Sequence, residues 1–458
     1  MWPVEFVLPA LMFLTLAALL FTGYPVAFVL GGIGLVFGFI GVLFDVFGPA
    51  RLFNILPRIY GGVIANQVLV AIPMFILMGT VFERSGVADE MLRCLQVLLR
   101  RIPGGLAMAV TLMGTVMAAT TGIVGASVVM LTLIALPAML ERNYDKALAT
   151  GTIAAAGTLG VLIPPSIMLV VMADLLQIPV GTLFLGAIVP GLLLSLLYIV
   201  YIGTLSYLKP DMAPPLPKAL GPVGTRALLS MMLRGFLPAA FLIFSVLGSI
   251  YLGWATPTEA AGVGCLGAIL LAIWKRRFDR ETVEGILMTS ALTNSMVFLI
   301  FLGATTFSLV FRALGGDELI IHVFDQMNLG PWGILIFLMI LIFLLGFFFE
   351  WIEITLIVLP VFVPVLLKVS FGDHLTGPKD FVPWFAILCA VNLQTSFLTP
   401  PFGFTLFYMK GTVPPSVTMN HIYRGIIPFV LLQLAGLLLC IAFPEIALWL
   451  PRRAGTLD

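Results

Sequence analysis

Two Pro-Pro pairs interrupt apolar segments of membrane length, one in each half of the chain: Leu162-Ile163-Pro164-Pro165-Ser166 and Leu398-Thr399-Pro400-Pro401-Phe402. A proline has no N–H to donate, and its ring clashes with the carbonyl four residues back. Pro164 and Pro165 are therefore expected to free the carbonyls of Gly160 and Val161, and Pro400 and Pro401 those of Ser396 and Phe397. Backbone freed at membrane depth is tolerated only where protein or a water-filled cavity satisfies it. Paired interruptions at corresponding places in two halves point to a midplane binding site in a secondary transporter.

The bilayer enters the argument because 61% of the 458 residues are hydrophobic and only 10% charged, with a mean hydropathy of +1.15. That balance belongs to a polytopic helical membrane protein, and apolar runs that are continuous rather than alternating argue against a β-barrel. A net charge of +1 indicates no nucleic-acid partner. Cys94, Cys265, Cys389 and Cys440 are far apart and read as packing residues rather than a disulfide or metal framework. The N-terminus lacks the basic region of a cleavable signal, so Phe6 to Thr22 reads as a retained span.

A span needs roughly 20 apolar residues. Candidates at 4–22, 25–44 and 63–82 lead to an amphipathic, arginine-bearing arm, 84–101. Next come an apolar block, 104–140, interrupted by the small residues 120–127, then the broken segment 146–176 and a closing span, 182–207. A proline-rich linker, 208–234, divides the chain. The second half repeats the plan. Spans at 235–253 and 257–274, the basic loop 275–280 and a span at 285–311 precede an arm, 312–330. The block 331–368, interrupted at Phe349-Glu350-Trp351-Ile352-Glu353, the broken segment 381–410 and a last span, 424–450, complete it.

Each block is nearly twice the length of one span, so each reads as a re-entrant hairpin of two half-length helices. The expected fold class is all-α polytopic, with two inverted repeats, 1–207 and 235–458, each carrying a hairpin and a Pro-Pro-broken helix. Ten full spans result. The arginines and lysines of the first arm, the central linker and the 275–280 loop then share the cytoplasmic side. Both termini fall outside, although Arg51, Arg58, Arg452 and Arg453 pull the other way.

Three stretches carry a family resemblance: Gly151 to Pro190, Ala255-Thr256-Pro257-Thr258-Glu259-Ala260-Ala261-Gly262, and Thr395 to Lys410. Over nearly its full length the chain resembles the DctM-type large membrane subunit of tripartite ATP-independent periplasmic (TRAP) transporters. The resemblance implies an elevator-type fold and sodium-driven uptake of organic acids across the bacterial inner membrane. It also implies two partners, a periplasmic substrate-binding protein and a small four-helix membrane subunit. Sodium ions would be the coupling ions, with no other cofactor. The tip Glu350-Trp351-Ile352-Glu353 is bulkier and more acidic than the family pattern, which leaves the substrate open.

In such families the sodium sites lie between a hairpin tip and its broken helix, where hard oxygen donors gather. Carried to this sequence, the first site joins Gly122, Gly125 and Ser127 to Thr158, Gly160, Val161 and Pro164. The second joins Phe349 and Glu350 to Thr395, Ser396, Phe397 and Thr399. Substrate carboxylates favour the positive ends of the half-helices beyond each break. That makes Ser166 and Gly403 candidate substrate contacts, together with Ser127 and Thr399.

Other readings stand beside these. Small residues also let helices pack closely, and hydroxyls bond their own helix backbone. Glu350 and Glu353, as intramembrane acids, suit sodium binding, proton relay or anion rejection, or else plain solvation or pairing near the outer water. Asp174 and Glu259 read as structural, the second at a helix start. No HExxH, GxSxG, aspartyl dyad or Walker pattern supports an enzyme. A stand-alone sodium/anion symporter, an anion permease of related fold and a passive channel are the competing transport readings.

Overall fold

The computed structural model describes residues 6–121, 124–217, 225–327, 329–366, 370–375, 377–400 and 403–457. Helices are the only regular elements among them. Eight are long and apolar enough to cross a membrane, or ten if each of two bent pairs counts as one span. The tally reaches the expected ten through a different set. Val124–Glu141, half of the first hairpin, qualifies alone, whereas the first helix, Val7–Leu20, has only 14 residues.

Both interrupted blocks are helix pairs. Gly105–Thr121 and Val124–Glu141 pack on each other with 17 and 18 residues. At 1.5 Å per residue each arm runs about 26 Å, longer than the half-span expected. In the second block Pro331–Leu345 and Trp351–Leu366 have 15 and 16 residues. Its break falls at 346–350, earlier than the sequence suggests. Trp351, Ile352 and Glu353 form the first turn of the second arm, because the Glu353 carboxylate accepts the Glu350 N–H at 3.1 Å. An acid at this position satisfies an orphan donor and complements the helix N-terminus.

The broken segments are Lys146–Thr158, a 3₁₀ turn Leu159–Val161 and Ile167–Leu176 in the first half, and Pro378–Leu398 with Phe404–Lys410 in the second. The arms match too. Val87–Leu99 departs from Ala71–Arg84 by 59° at Gly86, whose φ is +75°. Gly316–Met327 follows Gly315, φ +86°. Glycine takes this left-handed conformation without a Cβ clash. An arginine before each glycine and an Asp-Glu pair in each first turn recur at equal spacing, Arg84 with Asp89-Glu90 and Arg312 with Asp317-Glu318.

Two boundaries move. The helix Thr225–Tyr251 absorbs residues expected in the linker, and the described part of that linker is docked. Met212 and Ala213 accept the N–H groups of Asp145 and Gly104, at 2.8 and 3.0 Å, under the open end of the first hairpin. The last span, Met419–Ala442, ends before Pro444, and Glu445–Arg453 is a separate helix. Arg452 ties that helix to Asp380 at 2.8 Å.

Packing sorts the helices into two groups. Val26–Leu43, Ala71–Arg84, Thr225–Tyr251, Pro257–Trp274 and Arg280–Ala313 pack among themselves. Both broken segments pack with Val180–Leu208 and Met419–Ala442, the first hairpin packs with Val180–Leu208, and the second hairpin packs on both broken segments. In each group a close crossing is made by glycine. A Cβ on Gly303 would strike the Ala27 carbonyl, and one on Gly151 the Gly425 carbonyl. Small residues let helix backbones approach this closely.

The Ala255–Gly262 motif is a helix start. Thr256 accepts from the Glu259 N–H, the Glu259 carboxylate accepts from the Thr256 N–H at 2.7 Å, and Pro257 occupies the first helical position. Thr258 donates to the Gln67 carbonyl at 2.8 Å. Replacing Thr256 by Ala should cost about 1 kcal/mol. A lower melting temperature with transport retained is expected, and an unchanged melt would show that the cap contributes nothing.

Candidate functional site

The first break is seated in the first hairpin. Its 3₁₀ turn, Leu159–Val161, packs on both arms. Close approach is possible because Gly157 faces Val128, whose Cα would be 3.2 Å from an added Cβ. Ser127 and Thr158 are both buried there. The Thr158 hydroxyl donates to the Ala155 carbonyl at 2.9 Å, and the Ser166 hydroxyl to the Val161 carbonyl at 2.6 Å. The Val161 carbonyl, expected to be free, thus takes a donor from within the break. Ser166 is fully buried, with its side chain turned back on the segment rather than presented to a surface. Gly122 lies outside the described residues.

The second break is seated in the second hairpin in the same way. Gly346, at the start of the tip, lies directly on Ser396, whose Oγ and Cβ occupy the space of a Cβ at 346. Asn392 fastens this seat by donating to the Met339 carbonyl at 2.6 Å. Thr395, Ser396 and Thr399 donate to the carbonyls of Val391, Leu393 and Thr395 at 2.9, 2.7 and 2.9 Å. The Ser396 carbonyl, also expected to be free, accepts the Thr399 N–H at 3.1 Å. Gly403, φ +53°, turns the chain so tightly that a Cβ would stand 3.1 Å from the Phe397 carbonyl. Phe349 points elsewhere, its ring 6.0 Å from that of Phe21, just past the end of the first helix.

These bonds have a common sense. Each hydroxyl directs its proton to its own helix. What it offers outward is oxygen lone pairs, the donor type a hard cation takes. The two seats also cross over. Ile167–Leu176 packs on the second hairpin's arm Trp351–Leu366, and Phe404–Lys410 packs on the first hairpin's arm Val124–Glu141. At that crossing the Tyr408 ring lies against Gly125, 2.8 Å from where a Cβ would stand, and within electrostatic reach of Glu350 and Glu353. Among the described residues neither acid forms an ion pair. Asp174 accepts from Asn66 at 2.7 Å, which joins the far end of the first broken segment to the loop before Ala71–Arg84.

Residues 13–446 match the profile of the tripartite ATP-independent periplasmic transporter, DctM component. The chain belongs to that family. Within the DctM family it is 31% identical over 391 residues to the C4-dicarboxylate TRAP transporter large permease protein DctM of Pseudomonas aeruginosa, which covers 85% of this chain and 87% of the relative. It is 28% identical over 443 residues to the ectoine/5-hydroxyectoine TRAP transporter large permease protein UehC of Ruegeria pomeroyi, covering 96% and 98%. The fold resembles the crystal structure of the YdaH transporter of Alcanivorax borkumensis, with a TM-score of 0.59 and 14% identity over 88% of this chain and 89% of that one. This DctM-family chain is a multi-pass membrane transporter permease.

Sequence reasoning missed Tyr198, Gln394, Gln433 and Tyr408. The glutamines carried a usable signal, being neutral polar residues inside strongly apolar helices, where side chains of that kind bond across helices. The tyrosines carried none, since an aromatic ring is at home in an apolar span.

Proposed function

We propose that this chain is the substrate-translocating subunit of a sodium-coupled, binding-protein-dependent importer that moves an organic acid across the bacterial inner membrane. The observation that carries the reading is the doubled seat. In each half a hairpin packs on its broken helix and brings neutral oxygen donors and a helix interruption together. A small four-helix membrane subunit and a periplasmic binding protein complete the assembly. The repeats are read as inverted, with both termini periplasmic, and Glu350 stands at a tip near the outer water. The two packing groups support an elevator cycle in which hairpins and broken helices slide against a fixed scaffold. No covalent chemistry is required.

Energetics allow this coupling. Each charge moved across 100 mV is worth about 2.3 kcal/mol, and a tenfold sodium gradient adds about 1.4 kcal/mol per ion. Two sodium ions carried with one monoanion leave about 5 kcal/mol, enough for roughly a thousandfold accumulation.

The test is uptake of candidate organic acids into proteoliposomes holding both membrane subunits, with and without a sodium gradient and the binding protein. Uptake that needs both is the expected result. Sodium-driven uptake without the binding protein would replace this reading with a stand-alone symporter. In the same assay Thr399→Val should raise the sodium concentration for half-maximal uptake at least tenfold, because it removes an oxygen but keeps the shape. An unchanged sodium dependence would remove Thr399 from the site.

A further inference from the structure

Four side chains meet between the two breaks, one from each of four helices. They are Thr158 at the end of Lys146–Thr158, Tyr198 on Val180–Leu208, Gln394 on Pro378–Leu398 and Gln433 on Met419–Ala442. All four are completely buried. The Gln394 amide donates to the Tyr198 hydroxyl at 3.4 Å, and the Gln433 amide to the Thr158 hydroxyl at 3.4 Å. The Tyr198 hydroxyl also lies within electrostatic reach of the Gln433 side chain, and its ring packs 5.3 Å from that of Phe429, one turn before Gln433, so the two pairs stand side by side.

Hydrogen-bond counting leaves a specific remainder. The Oε1 atoms of Gln394 and Gln433 are buried with no partner among the described residues. The Thr158 proton is committed to the Ala155 carbonyl, so an exchange of O and N in Gln433 would set two acceptors face to face. Leaving a buried carbonyl without a donor costs about 1–3 kcal/mol. As the side chains stand, the remainder is two acceptors in want of protons beside a tyrosine hydroxyl that donates to no described residue; exchanging O and N in Gln394 would serve that proton but leave its buried amide N–H groups without an acceptor, so a polar need remains in either orientation.

We propose that Tyr198, Gln394 and Gln433, with Thr158, form an internal binding site for one water molecule. The water donates to both amide carbonyls and accepts the Tyr198 proton. Three bonds is the usual complement of a buried water, and the count then closes. A sodium ion would satisfy the two carbonyls but has no lone pair for the tyrosine proton. The position gives the site a role, and this part rests on the transport reading above. Thr158 borders the first break, and Gln394 stands one turn before the end of the helix that leads to the second. The water-centred joint fixes the two seats relative to each other, so that hairpins and broken helices move as one body. Tyr198, Gln394 and Gln433 are thus positioning residues.

The assembled membrane complex supplies the test. Gln394→Leu and Gln433→Leu each strip the water of one acceptor and loosen its hold on the carbonyl that remains, whereas the double variant removes both needs at once. The loss of melting temperature in the double variant should be clearly less than the sum of the two single losses. Additive losses would overturn the bridge. Should a variant fail to fold, a density map of the wild-type complex that resolves ordered solvent decides the matter. A peak within hydrogen-bond distance of both Oε1 atoms is expected, and a dry site overturns the proposal. Melts in sodium and in choline distinguish the occupant. The gap between wild type and double variant should be equal in both, and a gap present only in sodium would make the occupant a cation. In uptake, Tyr198→Phe should lower turnover at least fivefold with the substrate KM within twofold of wild type, and unchanged turnover would overturn the positioning role. If the wild type transports nothing, the transport reading fails while the melts and the map still decide the water.

Discussion

Gly151→Ala and Gly425→Ala are each expected to remove most of the folded protein. The helices Lys146–Thr158 and Met419–Ala442 cross backbone to backbone at these residues. A methyl on Gly151 would overlap the Gly425 carbonyl, and one on Gly425 would overlap the Ala147 carbonyl. Overpacking costs about 1–3 kcal/mol where a side chain can yield. In this crossing the obstacle on either side is backbone already held in a helix, so the whole contact must open. Helix propensity pushes the other way, since alanine is favoured over glycine by about 1 kcal/mol in a helix interior, so the sign of the result separates the two effects. Gly262→Ala is the control, because open space surrounds a Cβ there. Fluorescence-detected size exclusion and thermal melting of the three variants give the measurement. A Gly151→Ala variant as stable as Gly262→Ala would show that the two helices can separate at this point without loss of the fold.

That crossing marks the limit of what the chain reveals before folding. Hydropathy and proline placement were enough to anticipate an all-helical chain with helix breaks inside these apolar segments, because a bilayer admits few solutions and each interruption must be absorbed somewhere. Boundaries set by single local contacts were not legible. The second tip moved because Glu353 caps its own helix, a bond that depends on the chain turning at 346–350. The linker shortened because Thr225–Tyr251 extends toward the arm Val87–Leu99, against which it packs. The last span shortened at Pro444, a breaker that the apolar run around it concealed.

The site was half legible for the same kind of reason. Small residues and hydroxyls at the tips and breaks were visible, and the structure brings Gly346 onto Ser396 and Gly157 onto Val128. The direction of each hydroxyl was not visible, since Thr395, Ser396 and Thr399 choose between neighbours and their own helix only once the helix exists. Contacts between the halves were invisible altogether. Tyr408 meets Gly125 from 283 residues away in sequence, and no local pattern announces such a pairing.

The second seat offers the sharper functional test. Gly346→Ala should abolish the proposed sodium-dependent uptake, by at least a hundredfold, while the protein remains folded. Its methyl would occupy the place of the Ser396 side chain, so the tip could not close on the broken helix. The damage should stay local, because Gly346 ends the arm Pro331–Leu345 and the residues after it are already free of helix. The geometry also specifies the remedy. Ser396→Gly removes both obstructing atoms, Oγ and Cβ, and should reseat the tip of the Gly346→Ala chain. Ser396→Ala removes only the first and should rescue less. Ser396→Ala alone tests the hydroxyl itself. If the Ser396 oxygen serves sodium, the rescued double variant should recover its rate only at raised sodium. Full recovery at ordinary sodium would make Ser396 a packing residue and leave the coupling site to Thr395, Thr399 and the backbone of the tip. No rescue by either substitution would mean that the tip does not close on Ser396 during transport, and the doubled seat would then lose its place as the basis of the proposed function.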